Sequence, residues 1–105
     1  MAYSTLEEVK ALLRITDTTH DTEITTAISD ADAKIDNKLQ NYETVFPLTP
    51  IPSAINKASK YLAAGLYLKL NPVTDATLKQ AELFEKVGLE FLSEYIEKYH
   101  AGTIQ

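Results

Sequence analysis

DTEITTAISDADAKIDNKL, residues 21–39, decides the class of this fold. Ile24, Ile28, Ala31, Ile35 and Leu39 are spaced 4, 3, 4 and 4 apart, so they form one stripe along a helix of 3.6-residue period. The residues around the stripe are polar. The pattern predicts an amphipathic helix from about Thr22 to Gln40, with Asp32, Lys34, Asp36 and Lys38 in solvent. Before it, TDTTHD (Thr16 to Asp21) is a polar loop rich in helix-capping residue types. Further upstream, Ser4 with Glu7 and Thr5 with Glu8 both match a capping box. Leu6, Val9 and Leu13 then predict a short helix over about Leu6 to Leu13, with Ile15 docking just past its end.

Downstream, Asn41 to Pro52 holds Pro47, Pro50 and Pro52, which exclude a regular helix. It also holds Tyr42, Val45, Phe46, Leu48 and Ile51, a large apolar content for a loop. Tyr42 to Phe46 is the one stretch that could form a short extended piece. A third helix is predicted from Ser53, as N-cap, to just before Asn71-Pro72. Its inner stripe is Ile55, Ala58, Leu62, Leu66 and Leu70, widened by Tyr61, Ala63, Ala64 and Tyr67, so it should be the most buried helix. After a turn at Asn71 to Thr74, a fourth helix runs from Asp75 or Ala76 to Tyr99. Its apolar positions are Leu78, Ala81, Phe84, Val87, Phe91, Tyr95 and Tyr99, flanked by Leu83, Leu92 and Ile96. Gly102 is a stop signal, and residues 101–105 read as a flexible tail. The expectation is one all-α domain over residues 1–105: a four-helix antiparallel bundle with a short first helix, a long last helix and a Pro-rich loop between helices 2 and 3.

Composition narrows the function classes. The 105 residues are 45% hydrophobic and 24% charged, an ordinary globular balance. A net charge of -5 and a single arginine, Arg14, argue against coating of nucleic acid, which needs clustered cations. The absence of cysteine removes disulfides, thiolate metal sites and thiol catalysis. No signal-peptide pattern opens the chain, and no apolar run reaches the ~20 residues of a membrane span. Synthesis in the cytoplasm and no membrane partner are therefore expected. Charge is uneven: residues 44–74 hold Lys57, Lys60 and Lys69 and no acid, while the flanking thirds are acidic. Charge matching within the fold explains this, and so does a lysine face that meets an acidic neighbouring subunit.

Chemistry-bearing constellations are weak. Asp17, His20 and Asp21 lie close in sequence, but their spacing fits no common zinc or calcium pattern, and capping explains all three. Asp32 with Asp36, and Glu82, Glu85 and Glu90, read as solvated helix faces. No phosphate-binding glycine loop and no nucleophile elbow is present. Gly65 and Gly88 fall inside predicted helices, where glycine costs about 1 kcal/mol against alanine, and close helix packing is the reason to keep them. No enzyme activity, cofactor or metal is expected. Tyrosines suit half-buried edges and interfaces, and Tyr42, Tyr95 and Tyr99 are the interface candidates.

The first half resembles the head–tail connector (adaptor) proteins of tailed phages and related viruses. Those open with T-L-x-x-V-K-x-L-L, matched here by Thr5, Leu6, Val9, Lys10, Leu12 and Leu13. A helix D-x-x-I-x-x-x-I-x-x-A-x-x-x-I-x-x-x-L follows, matched by Asp21, Ile24, Ile28, Ala31, Ile35 and Leu39. The third helix, I-x-x-A-x-x-x-L-A-x-x-L-Y, is matched by Ile55, Ala58, Leu62, Ala63, Leu66 and Tyr67. The resemblance covers most of residues 3–70 and, more loosely, the last helix. It implies a structural virion component at the head–tail junction, in a ring of about twelve copies between the portal and the tail or stopper protein. The subunit could be a monomer alone. Double-stranded DNA would pass through the channel without specific binding, since an acidic wall does not hold it. The interface would then draw on the loop residues Tyr42, Val45, Phe46, Leu48 and Ile51, with Lys57, Lys60, Tyr95 and Tyr99. A competing expectation is a small helical regulator that binds another protein through the apolar face from Leu78 to Tyr99.

Overall fold

The computed structural model describes residues 3–40, 51–70 and 75–100. Four helices follow one another: α1 (Leu6–Leu13), α2 (Asp21–Leu39), α3 (Ser53–Leu70) and α4 (Asp75–His100). No strand occurs among the described residues. At ~1.5 Å per residue, the 26 residues of α4 give a rod of about 39 Å. Most of the connection at 41–50, the turn at 71–74 and the tail at 101–105 lie outside the described residues, and with them the predicted Pro-rich loop, its extended piece and the flexible end.

Two capping boxes were open to α1, and tertiary contacts choose between them. Thr5 is the N-cap: its hydroxyl accepts from the Glu8 N–H at 3.2 Å, and the Glu8 carboxylate accepts from the Thr5 N–H at 2.8 Å. Ser4 is turned inward instead and buried. At the other end, Arg14 takes the left-handed conformation (φ 58°), and the Ile15 N–H reaches back to the Lys10 carbonyl at 3.0 Å. That is a Schellman-type stop, and it turns Ile15 onto the core as expected. In the next loop, the Asp17 carboxylate accepts from the Thr19 N–H at 3.2 Å, while His20 occupies the N-cap of α2 with no side-chain cap bond. For α3, the Pro52 carbonyl accepts from the Asn56 N–H at 3.0 Å, so the helix starts one residue earlier than the Ser53 cap predicts.

α3 is the central helix. It packs most extensively on α4, then on α2, with α1 crossing α2 and α3. Ile55, Ala58, Ser59, Leu62, Ala63, Ala64, Gly65 and Tyr67 are all buried, as befits the most enclosed element. α2 contributes the predicted stripe, Ile24, Ile28, Ala31, Ile35 and Leu39, with Ala27 beside it. Both neighbours of α3 run antiparallel to it: Ser59 meets Asp32 while Tyr67 meets His20, and Gly65 faces Ala81 while Ala58 faces Gly88.

The α3–α4 seam is tight because both glycines sit in it. A Cβ on Gly88 would lie 2.8 Å from Leu62 Cγ and 3.1 Å from the Ala58 carbonyl oxygen. One on Gly65 would lie 2.7 Å from Glu85 Cγ and 2.9 Å from the Ala81 carbonyl oxygen. The buried line on α4 is thus Ala81, Gly88, Leu92 and Tyr95, with Glu85 partly buried among them. It is rotated from the line of larger apolar residues that periodicity favours. Leu78 and Leu83 are exposed, and so is Leu70 at the end of α3. Small residues set the axis of closest approach, and the bulkier ones flank it. Tyr61 of α3 fills one flank, with Phe84 and Phe91 of α4 at centroid distances of 5.9 and 5.8 Å.

The segment before α1 is held by a polar cluster. The Tyr3 N–H donates to Asp32 at 3.0 Å, and its hydroxyl donates to Asp36 at 2.5 Å. Ser59 donates to the second Asp32 oxygen at 2.7 Å. With its only proton so used, Ser59 accepts from the Ser4 hydroxyl, 2.7 Å away. Asn56 donates to the Tyr3 carbonyl at 2.9 Å and to Glu8 at 3.1 Å. Asp32 and Asp36 are therefore half-buried rather than fully solvated: they lie beside the stripe, and Tyr3 bonds to both.

Candidate functional site

Asp17, His20 and Asp21, close in sequence, have separate partners in the fold. Asp17 caps Thr19, Asp21 pairs with Lys10 at 2.8 Å between α2 and α1, and His20 lies 3.5 Å from Glu23 and edge-on to Tyr67. Among the described residues no group of three His, Cys, Asp or Glu side chains is arranged to hold a metal. Burial, with Glu23 and Asp17 nearby, raises the Tyr67 hydroxyl above its ordinary value. A tyrosine so placed stays protonated and packs; it does not supply a base.

What the fold does present is surface. At the start of α3 and the far end of α4, Pro52, Ser53, Lys57, Phe91, Glu94 and Tyr95 line a cleft of about 310 Å³. The chain enters this region from the apolar loop through Ile51, which is partly buried against the core. Lys57 is exposed, with its ammonium 5.5 Å from the Phe91 ring centroid. Tyr95 is 7% exposed and belongs to the seam, so its ring shapes the cleft from within. Three of the expected interface residues, Ile51, Lys57 and Tyr95, thus gather at one end of the molecule. Lys60 is partly buried on α3, near enough to Glu8 to favour its charged form. Tyr42, Val45, Phe46 and Leu48 lie outside the described residues, as does the side chain of Tyr99.

A second surface runs along α4. Glu90, Glu94 and Glu97 line its outer edge with Lys86, one turn before Glu90, and helix periodicity puts Leu83 on the side of Glu90. Leu83 is 60% exposed. Between α4 and α2 lies a groove of about 480 Å³, with Leu62, Leu89 and Leu92 as its apolar part and Lys34, Asn37 and Lys38 along the α2 wall. Glu85 also lines it but is neutralised by Lys69 at 2.7 Å, and that hydrogen bond and charge raise the Lys69 ammonium above its ordinary value. The basic third helix is thus matched within the fold at Lys69 and Lys60. Sequence reasoning missed the groove because it forms only where two helices far apart in sequence flank a third.

No helix among the described residues is long and apolar enough to cross a membrane. No curated protein and no solved structure shows significant similarity to the chain. Residues 3–99 do match a family, and that span takes in the pinned Tyr3–Thr5 segment, all of α1, α2 and α3, and α4 up to its last residue. On this match, the chain belongs to the phage gp6-like head-tail connector proteins.

Proposed function

We propose that this chain is an adaptor subunit that forms a ring between the portal and the tail or stopper protein and extends the DNA channel. The observation that carries this reading is the family match over residues 3–99. The surface supports it. Among the described residues Leu70, Leu78, Leu83 and Leu89 stay exposed, which suits an assembly part. The net charge of -5 suits a wall past which double-stranded DNA slides without binding. The cleft at Lys57 and Tyr95 is the contact for a virion neighbour, and the apolar residues Tyr42, Val45, Phe46, Leu48 and Ile51 that precede α3 in the chain, with Lys60 and Tyr99, contribute to the same interface. The chain has a structural rather than a catalytic role. It is made in the host cytoplasm and ends in the virion at the head–tail junction.

The test is to mix the purified chain with its portal protein and follow it by negative-stain imaging and native mass spectrometry. A ring of about twelve subunits on the portal is the expected result. A chain that neither binds portal nor forms a ring in its presence overturns the reading; a monomer without portal does not. A second reading, a helical regulator acting through α4, draws on the exposure of Leu78, Leu83 and Leu89. Affinity capture from infected cells separates the two, since a regulator would retain a host protein and no virion component.

A further inference from the structure

We propose that the α2–α4 groove is a self-association site that takes the acidic outer edge of α4 from a second copy of this chain. This rests on the reading of the chain as an assembly subunit and adds which surfaces meet.

The argument is complementarity of both charge and apolar content. The apolar surface of the groove is that of Leu89, 40% exposed, above the buried Leu62 and Leu92. Its α2 wall carries Lys34 and Lys38, one helical turn apart and both exposed. Neither has an ion-pair partner among the described residues. The one acid in the groove, Glu85, is already neutralised by Lys69, so the groove is left net positive. The outer edge of α4 is its counterpart. Glu90 and Glu97 lie two turns apart on this edge without described ion-pair partners, and helix periodicity puts Leu83 on the same side two turns before Glu90. Laid against the groove, that edge would seat an apolar knob on leucines and set carboxylates against ammonium groups. The two surfaces adjoin along α4, where Glu85 and Leu89 line both, but they carry opposite charge, so the contact joins unlike faces. Lys34 and Lys38 stand on the α2 wall of the groove, and neither they nor Glu90 and Glu97 have an ion-pair partner among the described residues. Opposed charges of this kind set register and exclude wrong partners more than they add raw affinity.

The absence of cysteine makes the test direct. One preparation carries Asn37→Cys on the groove wall and the other Ser93→Cys on the α4 edge. They are mixed, with and without portal, and treated with a short bis-maleimide. A cross-linked pair between the two preparations is expected, well above the yield when Ala11→Cys on α1 replaces the groove cysteine. Lys34→Glu with Lys38→Glu in the groove copy should cut that yield roughly tenfold or more. Adding Glu90→Lys with Glu97→Lys to the other copy should restore it. All these positions are exposed, and circular dichroism checks that each variant is folded. A yield no higher than the Ala11 control, or charge reversal without loss and rescue, overturns the proposal. If portal-bound rings form without the cross-link, the contact is wrong and the ring reading stands. If the cross-link forms without rings, the ring reading fails and the contact stands. If neither forms, both fall.

Discussion

Asp32 is the residue with the most unusual surroundings. Burial raises its carboxyl above the ordinary carboxylate value; the Ser59 hydroxyl and Tyr3 N–H pull it back, and Asp36 adds to the rise. The folded chain therefore holds the Asp32 proton more tightly than the unfolded chain does. From this group alone, stability falls as pH rises through the window between about 4 and the raised value. We expect the wild type to gain on Asp32→Asn as pH drops from about 6.5 to about 4.5, read as the difference between urea-denaturation free energies. No change in that difference would mean that Asp32 titrates normally. Glu8 has the opposite sign. Burial alone would raise its carboxyl, but hydrogen bonds from Thr5 and Asn56 and the Lys60 charge hold it below its ordinary value. Its stabilisation is present above the ordinary carboxylate value and fades as pH falls through the lowered one. Gly88 is decided by space. A methyl there would press on the Leu62 and Ala58 backbone, which cannot swing aside, so Gly88→Ala should lose about 1–3 kcal/mol even though alanine is the better helix former. Thermal denaturation measures this, and a stabilised variant would show that the seam is looser than the distances imply.

At the scale of the element, α1 is short and its ends decide whether it forms. Eight residues are too few to hold a helix on propensity alone, so the capping box, the Schellman-type stop and the packing on α2 and α3 must hold it together. Thr5→Ala should cost about 1 kcal/mol and speed amide exchange in α1 before the other helices. Arg14 is a non-glycine residue in the left-handed conformation, so Arg14→Gly should gain about 0.5–1 kcal/mol in chemical denaturation. A loss would mean that the arginine side chain contributes more than the backbone conformation costs. Among the described helices, α4 packs chiefly on α3. A long helix held along one side keeps the rest of its circumference available, and that is the geometric basis for assigning contacts to it.

For the whole molecule, the useful separation is between what holds the fold and what joins copies or partners. Leu83 lies outside the seam and is 60% exposed. Leu83→Ser should leave the unfolding free energy within about 0.5 kcal/mol of wild type, while weakening assembly on the portal. Equal assembly by the variant, followed by native mass spectrometry, would remove Leu83 from the interface. A destabilised variant would instead show that α4 packs more closely than its exposure indicates.

Periodicity was enough for the all-α class, the four helices with their bounds to within a residue or two, and the stripe from Ile24 to Leu39. These depend on contacts reaching three or four residues along the chain, which a linear pattern records. The resemblance at Thr5–Leu13 and along α2 and α3 was legible for the same reason, and so was the use of Gly65 and Gly88 for close approach. Tertiary structure alone decided that Thr5 rather than Ser4 caps α1, and that Asp32 and Asp36 lie under Tyr3. It also decided that Lys69 neutralises Glu85, and that small residues rather than large ones mark the inner line of α4. Desolvation and pairing are properties of the neighbours a side chain meets, and here those neighbours lie 16 to 55 positions away. The same holds for the groove between α2 and α4, whose two walls belong to helices far apart in sequence that both pack on α3.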